Sequence, residues 1–291
     1  MQVRSVLCPV DFSDASKTAL QTAARFARQF KGNLHVLFVE DPLLAQVAHQ
    51  VTPAPDLAGE LRTFLAGTPD LDVQDGVHMH VATGEPAAGI TAFGARERVD
   101  LIVMGAHGLT GVRKAFFGST TARVLKLASV PVLVVPAAAD IGKARNLEGL
   151  GAILVLSDFG PASRLASARA ASLAQAVGAP LVLVHVTPRV STPFSWGSRA
   201  ESAMEQRSAE AHTRMCHEMT PLERYGPVES VIVEGNVAEQ VAELARTRRT
   251  ALIVMGVDRG EAGSRLGATV YPVICAAPVP VLAVPAATRQ D

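Results

Sequence analysis

Four glycines punctuate the stretch IVMGAHGLTGVRKAFFGSTTARV, residues 102–124: Gly105, Gly108, Gly111 and Gly118. Glycine has no Cβ, so it admits positive φ and lets a ligand come close to the backbone. The stretch closes on Ser119 and Thr120, at the start of a helical pattern. Free N–H groups at 118–120 and the positive end of the helix dipole would favour an anion there, and the two hydroxyls add donors. The chemistry on offer is the cradling of a phosphate. The spacing is neither GxxxxGK[ST] nor GxGxxG, so it matches neither of the common phosphate loops. Taken alone, the same residues also describe a glycine-rich turn capped by Ser119.

A parallel sheet is needed to place such a loop, and the chain carries its pattern twice. VLCPVDFSDAS at 6–16 returns as ILVLSDFGPAS at 153–163, VDLIVMGAHG at 99–108 as TALIVMGVDR at 250–259, and VPVLVVPAAA at 130–139 as VPVLAVPAAT at 279–288. Matches in one order at nearly constant offset mean one unit written twice. The small and polar AAADIGKARNLEG, residues 137–149, reads as the linker, and the units are expected at 1–140 and 150–288. In the first unit, short runs of Val, Leu and Ile at 5–10, 34–39, 77–82, 101–104 and 132–135 are continuous rather than alternating, as in strands buried on both faces. The second repeats them at 152–156, 181–186, 230–234, 251–255 and 281–284. Helical spacing of Ala15, Ala19, Ala23, Phe26, Ala27 and Phe30 lies between the first two runs, with Ser13 as N-cap and, in the second unit, Pro161 as first helical residue. The order βαβαβαβαβ predicts a parallel sheet wrapped by helices.

Ligands of such sheets sit beyond the carboxyl ends of the strands. After the first strand come Pro9, Val10, Asp11, Phe12 and Ser13; after the second, Val39, Glu40 and Asp41; after the third, TGEP at 83–86; after the fourth, the glycine-rich loop.

The spacing Gly105-x2-Gly108-x9-Gly118-Ser119 resembles the nucleotide-binding motif of the universal stress protein family. CPVDFSDAS, VATGEPAAGI and SVPVLVVP resemble that family's first strand and loop, third strand and helix, and last strand. The resemblance covers nearly the whole chain, twice. It implies two tandem doubly wound α/β domains, each a five-stranded parallel sheet of order 3-2-1-4-5 with helices on both faces. Asp11 and Gly105 would then flank one crevice. The ligand it implies is ATP or another adenine nucleotide, with or without Mg²⁺. Pro9 and Val10 would shape the adenine side, Asp11 would accept from the ribose hydroxyls, and Val39 would meet the adenine edge through its backbone. Met104, Gly105, His107, Gly108, Gly118, Ser119 and Thr120 would hold the rest, chiefly the phosphates. Asp11 as a helix cap and His107 as a solvated loop residue are the plainer readings. Arg113 and Lys114 read as solvated.

The second unit keeps the nucleoside side, with Asp158 for Asp11 and Val186 for Val39. Its phosphate side is altered: Arg259 stands at the second glycine, the path from Gly256 to Gly267 is two residues shorter, and Ala268 replaces Ser119. One nucleotide per chain is therefore expected.

Composition narrows the remaining classes. Lys+Arg and Asp+Glu number 27 each and neither half has the basic excess of a nucleic-acid binder, which speaks against such a partner. No apolar run approaches the roughly 18 residues of a membrane span, and the N-terminus lacks a signal-peptide pattern. Three cysteines without a CxxC pair point to reduced thiols in a cytoplasm. His78 and His80 share a strand face, with no third ligand nearby in sequence for a metal. No catalytic residue is assigned. The expected role is a nucleotide-dependent stress-response regulator with a regulatory protein partner of unstated identity. A slow ATP hydrolase, or a partner-binding protein without nucleotide, are the alternatives. The apolar final strands, VPVLVVP and VPVLAVP, are expected to pair the two units as a family dimer would pair, and the chain itself is a candidate homodimer.

Overall fold

The computed structural model describes residues 3–49, 56–69, 71, 76–106, 118–136, 147, 151–189, 197–258 and 268–286. The first half runs β1 (Ser5–Val10), α1 (Asp14–Phe30), β2 (Asn33–Glu40), α2 (Pro42–His49), α3 (Leu57–Ala66), β3 (Val77–Thr83), α4 (Pro86–Arg96), β4 (Leu101–Gly105), α5 (Ser119–Leu127) and β5 (Val132–Val135). The second runs β6 (Ala152–Leu156), α6 (Pro161–Val177), β7 (Leu181–Thr187), α7 (Gly197–Met219), a 3₁₀ turn (Thr220–Tyr225), β8 (Val228–Glu234), α8 (Val237–Thr247), β9 (Thr250–Val257), α9 (Val270–Ala276) and β10 (Val281–Pro285).

Local chemistry sets the helix ends. Ser13 Oγ accepts the Ser16 N–H at 3.2 Å and opens α1, which closes on Lys31 in the left-handed region at φ 52°. Pro161 opens α6 and Gly178, at φ 67°, closes it. Glu85 caps α4 from both carboxylate oxygens, and Asn236 caps α8.

The strands form one ten-stranded sheet, in the order β3-β2-β1-β4-β5-β10-β9-β6-β7-β8. Each half has the expected order, read in opposite directions from the middle. Every pairing within a half is parallel. Between the halves β5 and β10 pair antiparallel, with Val134 opposite Val281, Leu133 opposite Leu282 and Val132 opposite Ala283. The expected pairing of the two final strands thus joins the five-stranded sheets into one, because each half ends in an apolar strand whose ladder groups would otherwise be unpaired at an edge. β5 and β6 are buried along their whole length, while the outer strands β3 and β8 are largely half-buried or exposed. Two apolar layers follow, one on the face of α1 and α6 and one on the face of α4, α5, α8 and α9, and both run across the junction.

Three histidines gather on the first outer pair of strands. His35 on β2 lies opposite His78 on β3, its ring centroid is 5.2 Å from that of His78 and 5.3 Å from that of His80, and its Nδ1 is 3.2 Å from His80 Nε2. The third ring comes from the neighbouring strand, which spacing within β3 could not reveal. Among the described residues no group of three His, Cys, Asp or Glu side chains could hold a metal ion. Phe93, Arg96 and Glu97 complete the surroundings at the end of α4. Burial lowers both His35 and His80 below the ordinary histidine value; the neighbouring rings add to this at His35, and Glu97 opposes it at both.

Two expectations follow. Residues 1–140 expressed alone leave β5 uncovered, so they should dimerise or aggregate; a soluble monomer at high concentration, seen by light scattering, would refute the role of the junction. The histidines give a pH dependence. In the unfolded chain they titrate near 6.5, above their folded values, so over that window the unfolded state binds more protons. Acidification from about pH 7.5 to about pH 5 should therefore lower the urea midpoint, and His35→Asn should flatten the slope relative to the parent.

Candidate functional site

Residue pairing fixes which strand ends meet. Leu7 on β1 lies opposite Ile102 on β4, so Asp11 and Gly105 project at the same end of adjacent strands. This is the point where the strand order reverses, and the crevice there is the one that open sheets offer to ligands. On the other side of β1, Val10 lies opposite Phe38, one residue before Val39.

Asp11 holds the mouth of the crevice in shape. Its Oδ1 accepts from the Ser13 N–H at 3.1 Å and from Ser13 Oγ at 2.5 Å, and its own N–H donates to Ser16 Oγ at 3.4 Å. Asp11 therefore orients the serine that caps α1; the cap itself is Ser13. The turn puts Phe12 at φ 64°, a left-handed conformation that costs a non-glycine residue about 1–3 kcal/mol and that packing must hold in place. The Phe12 ring is held by Phe38, stacked at 4.7 Å, and by Phe64 of α3, edge-on at 5.5 Å. Val10 and Met104 are buried, and the Val39 side chain faces Gly89 of α4. Toward a ligand these three residues present mainly backbone.

Neither described loop glycine uses positive φ. Gly105 ends a strand and Gly118 has φ −58°. What Gly105 supplies is room: a Cβ there would lie 3.1 Å from the backbone and Cβ of Ala15, where α1 crosses β4. The Gly118 N–H is not free either, because it donates to Ala106 O at 2.9 Å. The donors left to an anion are the later N–H groups of the first α5 turn, since no side chain caps that helix. Ser119 is exposed and Thr120 half-exposed beside them. His107 and Gly108 lie outside the described residues.

Three residues that spacing did not single out hold α5 in place. Thr121 Oγ1 donates to Gly105 O at 3.0 Å, tying the helix to the end of β4. Arg123 pairs with Glu85 at 2.9 Å, joining α5 to the cap of α4. The signal was available by laying the repeats side by side, for these positions read Val270, Pro272 and Asn236 in the second half.

The second crevice keeps the turn but not the helix. Phe159 repeats the left-handed conformation at φ 62°, and Asp158 Oδ1 accepts from the Gly160 N–H at 2.8 Å. Burial pushes the Asp158 carboxyl up, but hydrogen bonds from Ser163 and Gly160, with His185 nearby, more than offset this and hold it below its ordinary value. Gly256 leaves still less room than Gly105, since a Cβ would lie 2.4 Å from Ala162 C. Helix α9 begins at Val270, two positions later than α5 by the repeat offset, and Pro272 removes one N–H from its first turn. Arg259 and Gly267 lie outside the described residues.

A tandem, doubly wound parallel unit with its crevice at the reversal of strand order defines a doubly wound α/β protein. The sequence model of the Universal stress protein family matches residues 2–136 and again 150–285, and the chain belongs to that family. Universal stress protein MJ0531 of Methanocaldococcus jannaschii is 32% identical over 139 residues, which is 45% of this chain and 81% of that protein. Universal stress protein YxiE of Bacillus subtilis is 28% identical over 143 residues, 45% of this chain and 97% of the other. Among solved structures, the functionally unknown protein PA1789 of Pseudomonas aeruginosa superposes with a TM-score of 0.67 at 21% identity, covering 98% of this chain and 93% of its own. A universal stress protein of Archaeoglobus fulgidus gives 0.62 at 21%, covering 98% and 99%. These two establish likeness of fold.

The glycines at the ends of β4 and β9 yield a stability test. Gly105→Ala and Gly256→Ala should each destabilise by about 1–3 kcal/mol through overpacking, with Gly256→Ala the larger because its Cβ would lie 2.4 Å from the main chain of α6, against 3.1 Å from that of α1 at Gly105. Urea unfolding without any ligand reads this. Equal or negligible losses would show that the helices give way without cost.

Proposed function

We propose that the first half binds an adenine nucleotide in the crevice between β1 and β4 and that the protein acts as a nucleotide-dependent regulator in a stress response. The observation that supports this reading is the uncapped start of α5, held beside Asp11 at the reversal of strand order by Thr121 and Arg123. A phosphate would sit on the first-turn N–H groups with the Ser119 and Thr120 hydroxyls. The Asp11 carboxylate suits the vicinal hydroxyls of a ribose, and the backbone at Val39 suits the edge of a base. His107 and Gly108 belong to the same cradle by position in the motif.

The role is binding rather than turnover, and the two halves differ in it. The second half keeps Asp158 and Val186 but starts its helix late and loses a donor at Pro272. One nucleotide per chain follows. The reading takes 1–140 and 150–288 as the functional units and the cytoplasm as their place. Three free thiols and the lack of a membrane-crossing helix among the described residues agree with the latter.

Titration calorimetry of nucleotide-stripped protein with ATP tests the reading. The expected stoichiometry is near one. Gly118→Val should abolish binding, because its φ tolerates valine while the side chain enters the phosphate space. Asp11→Ala should weaken it by about 1–3 kcal/mol, the scale of hydrogen bonds to a charged group. A stoichiometry near two, falling to one with Gly118→Val, would mean that the second cradle also works. Undiminished binding by Gly118→Val would remove the loop assignment.

A further inference from the structure

The space beside the β1–α1 turn is lined by aromatic rings in the first half and by polar and charged groups in the second. In the first, Phe12, Phe38 and Phe64 line it with three rings, and α3 adds the buried Leu61 and Leu65. In the second, His185 takes the place of Phe38, and the inward stripe of α7 reads Met204, Arg207, Ser208, Ala211 and Arg214. The result is a cleft of about 490 Å³, within the range of small-molecule sites. The lining takes in Asp158 and Phe159 from the turn of the second crevice but no residue of β9 or α9, so the cleft adjoins that crevice on the side of β7 and β8.

Its two walls carry opposite chemistry. The sheet wall offers acceptors. Asp158 is there, as is Glu234, whose nearest cation is Arg189 at a loose 3.9 Å. His185 Nδ1 lies 2.8 Å from Ser157 O and donates to that carbonyl. The helix wall carries the guanidiniums of Arg207 and Arg214, with Glu210 and His212 beside them. The Arg214 guanidinium lies 4.5 Å over the Phe159 ring, whose other contact is His185 at 4.3 Å. Stacking fixes the guanidinium plane and leaves its N–H edge for an oxyanion. Glu210 approaches Arg214 only to 3.9 Å, and Arg207 forms no ion pair with any described residue. Between the walls lie Pro188, Met204, Ala211 and Ile232.

We propose that this cleft binds a free α-amino acid with an apolar side chain, its ammonium on Asp158 and Glu234 and its carboxylate on Arg214 and Arg207. Two carboxylates on one wall favour an ammonium over a neutral hydroxyl, and two guanidiniums on the other favour a carboxylate. The apolar strip between them takes the side chain. The assignment does not depend on nucleotide binding in the first half.

Calorimetry of the full chain with L-phenylalanine, L-leucine and L-methionine tests it. At least one should bind once per chain, and N-acetyl-L-phenylalanine and L-phenylalaninamide, each lacking one charge, should bind at least about 10-fold more weakly than phenylalanine. Asp158→Asn should erase the discrimination against the acetyl form, and Arg214→Gln that against the amide. Because Asp158 also shapes its turn, Arg207→Gln provides a variant at an exposed residue that has no ion pair among the described residues, and it should weaken binding with the melting temperature unchanged. Absence of binding by all three amino acids at about 10 mM, far above the usual affinities of specific sites, would overturn the proposal. So would affinities indifferent to the derivatives or to all three substitutions.

Discussion

The antiparallel pairing of β5 with β10 is the contact on which the form of this molecule depends. A parallel five-stranded sheet with apolar last strands has one edge that water cannot satisfy well. Placing two such edges against each other completes both ladders and merges two pairs of half-built layers. Leu133 and Val135 share a core with Leu282 and Val284 on one face, and Val132 and Val134 share another with Val281 and Ala283. Every strand further out inherits its position from this seam, including β1 and β4, whose ends make the crevice. What remains exposed is β3 and β8, the strands least buried in the sheet.

Within that frame the two halves use the same turn for different ends. Asp11 and Asp158 both brace a left-handed phenylalanine, and Gly105 and Gly256 make way for α1 and α6. These features are architectural, since they occur whether or not the phosphate side is intact. The differences lie at the helix after the fourth strand. Thr121 and Arg123 anchor α5 in the first half, whereas Val270 and Pro272 leave α9 shorter and later. The two halves are distinguished by these anchors more than by their glycines.

Much of the fold was legible in the sequence because buried parallel strands write themselves as unbroken runs such as ILVL and LIVM, and because the runs recur at a constant offset. Ser13 and Pro161 announced their helices through capping chemistry alone. The crevice was legible once the repeat placed Asp11 and Gly105 on neighbouring strands. Other features were not. The role of Gly105 depends on Ala15 lying against it, a distance that φ preferences cannot express. The three-histidine cluster needs His35 from another strand in register with His78. The cleft beneath α7 depends on polar and charged groups standing where the other half has the rings of Phe38 and Phe64, and that exchange is visible only when the helix stripe is seen facing the sheet.

Joining the halves in one chain has a consequence for how such a protein can change. In a symmetric dimer of identical chains, every substitution is written twice and must be tolerated in both places. Across the seam of β5 and β10 the pseudo-symmetric positions are encoded separately. Proline at 272 need not enter the first helix, and arginine at 214 need not displace Phe64. One half can keep an inherited site under constraint while its twin, supported by the same sheet, drifts toward another ligand.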